Sequence, residues 1–162
     1  MLLDHTIMCF IILPPLIIIS LILISDQPFK NHPIETGAFY LMILVYLNKD
    51  FVQGKSIAKR ILGLKIVDRK TGQSASELRC FLRNMTVPIW PVEILTTLFS
   101  KNRRIGDFIV NTRIEIAEKE SAKSILTGLK NKKFTSVTLW TLIVGLAYMT
   151  VLWILMDELL KI

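Results

Sequence analysis

Gly54-Lys55-Ser56-Ile57-Ala58-Lys59-Arg60-Ile61-Leu62-Gly63-Leu64-Lys65-Ile66-Val67-Asp68 separates an apolar first third of the chain from everything that follows. On a helical wheel Lys55, Lys59 and Arg60 fall on one side, and Ile57, Ala58, Ile61 and Leu62 on the other. The pattern predicts a short basic amphipathic helix with Gly63 as its C-terminal cap. Such a helix lies in a membrane interface with its cations among lipid head groups. Lys55, Lys59 and Arg60 are therefore candidate contacts to anionic lipids, although a plainly solvated face gives the same pattern.

Upstream, residues 7–24 are almost continuously apolar. With their flanks they reach the roughly 20 residues that cross a bilayer core, so a span is expected over 5–25. A signal peptide fits less well: Asp4 and His5 precede the run where Lys or Arg belongs, and Ile24-Ser25-Asp26 is a poor cleavage site. Pro14 and Pro15 should kink this helix. A second apolar run starts at Thr36. It reaches spanning length only by continuing through Asn48, Lys49 and Asp50, with their side chains reaching the interface; the expected span is 36–52.

Downstream, residues 64–67 read as a strand, and Asp68-Arg69-Lys70-Thr71-Gly72 as a turn. Ser74-Ala75-Ser76-Glu77 fits a capping box with Ser74 as the cap. In the helix it opens, Leu78, Phe81, Leu82 and Met85 make an apolar stripe, with Arg79 and Arg83 on another face. Arg113-Ile114-Glu115-Ile116 reads as a second strand, expected to pair with 64–67 because neither stands alone. Residues 117–133 form a charged linker. Residues 134–156 are uncharged, with Trp140 and Trp153 toward the ends, and are expected to span the membrane. Thr141 and Gly145 form a small-xxx-small pair there.

The composition agrees with a membrane protein: 52% of residues are apolar and the mean hydropathy is +0.51. The net charge of +7 would suit a nucleic-acid binder, but the placement of the cations follows membrane topology instead. Nine Lys and Arg lie within 49–83 and nine within 101–133, leaving only Lys30 and Lys161. Both polar segments then face the cytoplasm, with the N-terminus inside and the C-terminus outside. Residues 86–99 join two cytoplasmic segments, so they are expected to form a re-entrant or interfacial segment. The expected fold is an all-α membrane protein of about three transmembrane helices. An interfacial amphipathic helix, a re-entrant segment and a small two-stranded β element complete it. The two cysteines, Cys9 and Cys80, lie in unlike surroundings, which argues against both a disulfide and a metal site.

Gly54-x-Ser56-x-x-Lys59-Arg60-x-x-Gly63-Leu64-Lys65-Ile66-Val67-Asp68, Gly72, Leu82-Arg83-Asn84, Arg103-Arg104-Ile105-Gly106-Asp107 and Thr112 follow one another in the chain. Over residues 4–116 this resembles the RDD family of small bacterial membrane proteins. By position Asp4 and Asp107 match the two aspartates of that family. Its arginine, which precedes the first aspartate, has no counterpart here, and Ala58 stands where glycine is usual. The linker and residues 134–162 lie outside the resemblance. The family implies a multi-span membrane protein of mostly unassigned role, with cation/proton antiport proposed for some members.

Charges within or beside apolar runs are the candidate functional residues, because burying one costs a few kcal/mol. They are Asp4, Glu93, Asp107, Arg83 and Arg104. They could line a proton or cation route, or they could be structural ion pairs. No phosphate loop, nucleophile elbow or metal-ligand spacing occurs, so neither an enzyme nor a cofactor is expected. The expected role is an accessory or structural component of the cell inner membrane that binds a lipid or a partner through its basic cytoplasmic layer. The alternative is a small oligomeric cation/proton antiporter.

Overall fold

The computed structural model describes residues 6–7, 9–10, 14, 17–18, 33–87, 90–100 and 103–160. Asp4 and most of the expected 5–25 span lie outside them. The described elements are helix α1 (Pro33–Leu47), helix α2 (Ile57–Leu62), strand β1 (Leu64–Asp68), helix α3 (Glu77–Asn84), helix α4 (Trp90–Phe99), helix α5 (Ile105–Ile109), strand β2 (Thr112–Ile116), helix α6 (Ser124–Lys130) and helix α7 (Ser136–Leu160). They fall into two units, 47–142 and 1–46 with 143–162.

In the 47–142 unit the expected strand pair forms. β1 and β2 run antiparallel, with Leu64 opposite Ile116, Ile66 opposite Ile114 and Asp68 opposite Thr112. Ser56 caps the start of α2, its Oγ accepting the Lys59 backbone N–H at 3.2 Å. Gly63 ends α2 in the left-handed region, φ 67°. A side chain there would be strained and would meet the Ala117 carbonyl. The cap of α3 is Ser76 rather than Ser74. The Ala75 N–H is taken by the Ile66 carbonyl at 3.0 Å and Ser74 bridges Val67. The chain is thus still extended beside β1 at Ser74, and the helix starts two residues later than expected.

The apolar core of this unit is small: Ile66, Ala75 and Cys80 cluster, and Phe81 is fully buried. Most of the other large side chains that are fully buried are polar, among them Arg60, Arg83, Glu93 and Asn84. Gly106 is where α5 approaches the end of α3, and a Cβ added there would collide with the Arg83 carbonyl.

Three expectations require correction. The three-span, all-α architecture does not hold. Among the described residues one helix, with its apolar window at Ser136–Glu158, is long and apolar enough to cross a membrane, and the 47–142 unit is built around a strand pair. The span expected over 36–52 is not formed: α1 is 15 residues long, or about 22 Å against a core of about 30 Å. It stops at Leu47 because Asp50 is drawn into a polar cluster, and Asn84 Nδ2 donates to the final Leu47 carbonyl at 2.9 Å. Finally, α2 is no interfacial helix. Ala58, Lys59 and Arg60 are buried, whereas Ile61 and Leu62 are each 45% exposed. Its basic side faces inward. The segment expected to be re-entrant contains α4, ten residues long, with Glu93 buried in that same cluster. In α7, Thr138, Thr141, Gly145 and Met149 form a buried stripe, which includes the small-residue pair, and most of its large apolar side chains are exposed.

Candidate functional site

Each end of the buried cluster is reached from sequence that looks like a surface. Asp50 lies in the turn after α1, Lys59 on α2, Arg83 and Asn84 at the end of α3, Glu93 on α4, Arg104 and Asp107 at the start of α5, and Thr112 at the start of β2. All are buried. Lys59 Nζ donates to Asp50 Oδ1 at 2.7 Å. The other oxygen of Asp50 accepts from Asn84 Nδ2 at 3.2 Å and lies 3.9 Å from Arg83 Nη1. Arg83 then grips Asp107 with two bonds, Nε to Oδ1 at 2.5 Å and Nη2 to Oδ2 at 3.1 Å. This is the two-pronged geometry that makes an arginine–carboxylate pair strong.

Asp107 also accepts from the Thr112 hydroxyl at 2.8 Å and, reaching back, from the Arg104 backbone N–H at 3.2 Å. It ties the ends of α3, α5 and β2 together. The Arg104 guanidinium has its Nη2 3.4 Å from Asn84 Oδ1 and its Nη1 3.8 Å from Glu93 Oε2. Glu93 Oε1 accepts from the Thr86 hydroxyl at 2.5 Å. Three acids, Asp50, Glu93 and Asp107, thus face three cations, Lys59, Arg83 and Arg104.

The titration behaviour follows from this arrangement. Burial works against the charge on Asp107, but the charge and hydrogen bonds of Arg83, with help from Thr112 and Arg104, outweigh it and hold the carboxyl below its usual range. Burial likewise opposes the charge of Arg83, and Asp107 and Asp50 more than restore it, so its pKa rises. Burial and the neighbouring Arg83 charge lower the pKa of Arg104. Proton uptake by Asp107 would leave the buried Arg83 without the counter-charge it grips, which is strongly unfavourable.

A second, shallower cluster holds the rest of α2. Glu120, in the stretch expected to be a linker, takes both Lys55 Nζ and Arg60 Nη1. Arg60 Nη1 also donates to Ser124 Oγ at 3.1 Å, and Arg60 Nη2 to the Val52 carbonyl at 3.1 Å. The hydrogen bond from Lys55, before other contributions, lowers the Glu120 carboxyl to about 2. Nearby, Lys132 pairs with Glu77 and sits 4.4 Å over the Phe51 ring.

Of the residues singled out in the sequence, Arg83, Glu93, Arg104 and Asp107 come together in one network. Lys59 joins it through Asp50, and Lys55 and Arg60 are held by Glu120. Asp50, Asn84, Thr112 and Glu120 were not among the candidate site residues. Asp50 carried one signal, an acid in the continuation of an apolar run. Among the described residues no group of three His, Cys, Asp or Glu side chains could hold a metal ion. Comparison with family models, with curated proteins and with solved structures finds no match to the chain.

Proposed function

We propose that this is an accessory or structural protein of the cell inner membrane, anchored by α7, whose 47–142 unit is kept in shape by its buried ion pairs. The observation that carries this reading is the matching of charge: every buried acid of the network has a cation opposite it. A relay acid instead has to gain and lose protons, and Asp107, held by two bonds from Arg83 and one from Thr112, resists this. The 25-residue helix α7 is long and apolar enough to cross a bilayer, which supports membrane association. Lys130, Lys132 and Lys133 lie just before α7, which supports a cytoplasmic position for the 47–142 unit.

Kinship with the RDD family belongs to the same proposal. The motif blocks around Lys59, Arg83 and Asp107, which carried the resemblance, meet in one network, as they would if the blocks were coupled by shared contacts. Extraction tests the anchoring: the protein stays with membranes in high salt or alkali and leaves only with detergent. Release by salt alone contradicts it.

A second reading, a small oligomeric cation/proton antiporter, draws on one observation, the unbroken run of buried charged groups from Lys59 to Glu93. In vesicles carrying the folded protein, flux of sodium or potassium that collapses a pH gradient and is abolished by Glu93→Gln would favour it. The accessory role predicts no such flux in either protein.

A further inference from the structure

We infer that the segment 119–134 is a membrane-surface contact, in which exposed lysines bind anionic lipid head groups and neighbouring exposed apolar side chains enter the interface. In α6, Leu126 is 65% and Leu129 48% exposed, and Phe134, two residues before α7, is 68% exposed. Lys123, Lys130 and Lys133 are exposed beside them. Apolar side chains and lysines together at a surface are the signature of a segment lying in a bilayer interface.

Continuity with α7 identifies the occupant. Lys130 lies six positions before Ser136, a stretch that even fully extended reaches only about 21 Å. Hydrogen bonds from the Asn131 and Lys132 N–H groups back to Thr127 and Leu129 shorten that reach. When α7 crosses the bilayer, these lysines are therefore held near its head groups, where cations favour anionic lipid. Lys55, Lys59 and Arg60 are occupied by Glu120 and Asp50, so lipid binding falls instead to the lysines that flank α6.

The inference rests on the anchoring proposed above, and one experiment separates the two. The full chain carries Cys9→Ser, so that a single introduced cysteine takes an environment-sensitive fluorophore; the Cys80 thiol is buried, and burial before the Asp50 charge pushes it up to about 12, out of reach of labelling. The label is placed at Leu129→Cys or, separately, at Ile143→Cys within α7. Vesicles contain shallow nitroxide-bearing lipid, with or without phosphatidylglycerol. The Leu129 label is expected to be quenched with phosphatidylglycerol and released by high salt. Changing Lys123, Lys130 and Lys133 together to Gln is expected to weaken the contact by about a hundredfold. An unquenched Leu129 label beside a quenched Ile143 label overturns the inference and leaves the anchoring intact. Quenching that ignores phosphatidylglycerol and the three lysines also overturns it. If neither label is quenched, the anchoring itself fails.

Discussion

Two stretches of the 47–142 unit are both basic in sequence, and their key cations have opposite fates. In the stretch from Lys55 to Arg83, Lys55, Lys59, Arg60 and Arg83 turn inward and meet acids from other segments: Lys59 meets Asp50, Lys55 and Arg60 meet Glu120, and Arg83 meets Asp107. In the stretch from Lys119 to Lys133, most lysines stay exposed beside exposed apolar side chains. An amphipathic pattern states that a helix has two faces and leaves open which of them is inside. The acids decide it. α2 turns its basic side inward because Asp50 and Glu120 are there to receive it, while Lys130 and Lys133 stay exposed.

The sharpest way to break this contrast is to remove one partner of the deepest pair. Arg83→Met leaves Asp107 and Asp50 buried with a cation missing and should cost about 3–5 kcal/mol of stability, read from denaturant unfolding in detergent. Adding Asp107→Leu should make the double variant less unstable than the sum of the two single variants. Strict additivity would mean that the two side chains do not act as a pair. Next in size, Gly106→Ala forces α5 away from the Arg83 carbonyl and should cost about 1–3 kcal/mol in the same assay.

Acid sharpens the contrast further. Asp107 and Glu120 both have folded-state pKa values below their ordinary ones. Their contribution to stability is complete above the unfolded values and is lost as pH falls toward the folded ones. For Glu120 that window runs from about 4.5 down to about 2. Glu120→Gln should lower stability at neutral pH and flatten the loss of stability across that window; an acid limb unchanged in the variant would show that the Lys55–Glu120–Arg60 cluster contributes nothing. The smallest effect belongs to the other region. Lys130→Gln and Lys133→Gln should each change stability by less than about 0.5 kcal/mol, because neither side chain is buried. A larger loss would place them in the fold rather than at its surface.

Local features were legible in the sequence where local chemistry determines them. Gly63 was readable as a cap because it follows an amphipathic turn and supplies the left-handed geometry. The pairing of 64–67 with 113–116 was readable because both runs are short, rich in β-branched residues and unpartnered. The α3 cap was half-readable: Ser74 and Ser76 both suit the role, and the choice was made by the hydrogen bond from Ala75 to Ile66, a contact between segments. The polar core was the least legible. Asp50 resembles an interfacial residue at the end of a span until Lys59, Asn84 and Arg83 converge on it from other elements. Arg83 resembles the solvated partner of Arg79 until Asp107, 24 residues onward, takes it inward. Hydropathy windows treat each such charge as exposed, so they lengthened α1 into a span that the structure ends at Leu47.

The most direct measurement is the rate of lysine modification, residue by residue, in the folded 162-residue chain, read by mass spectrometry after brief amine acylation in detergent. Lys123, Lys130 and Lys133 should react readily, while Lys55 and Lys59 stay protected until the protein unfolds. Modification of Lys59 as fast as Lys130, in protein that is still folded, would contradict the division into inward and outward cations, and with it the charge-matched core.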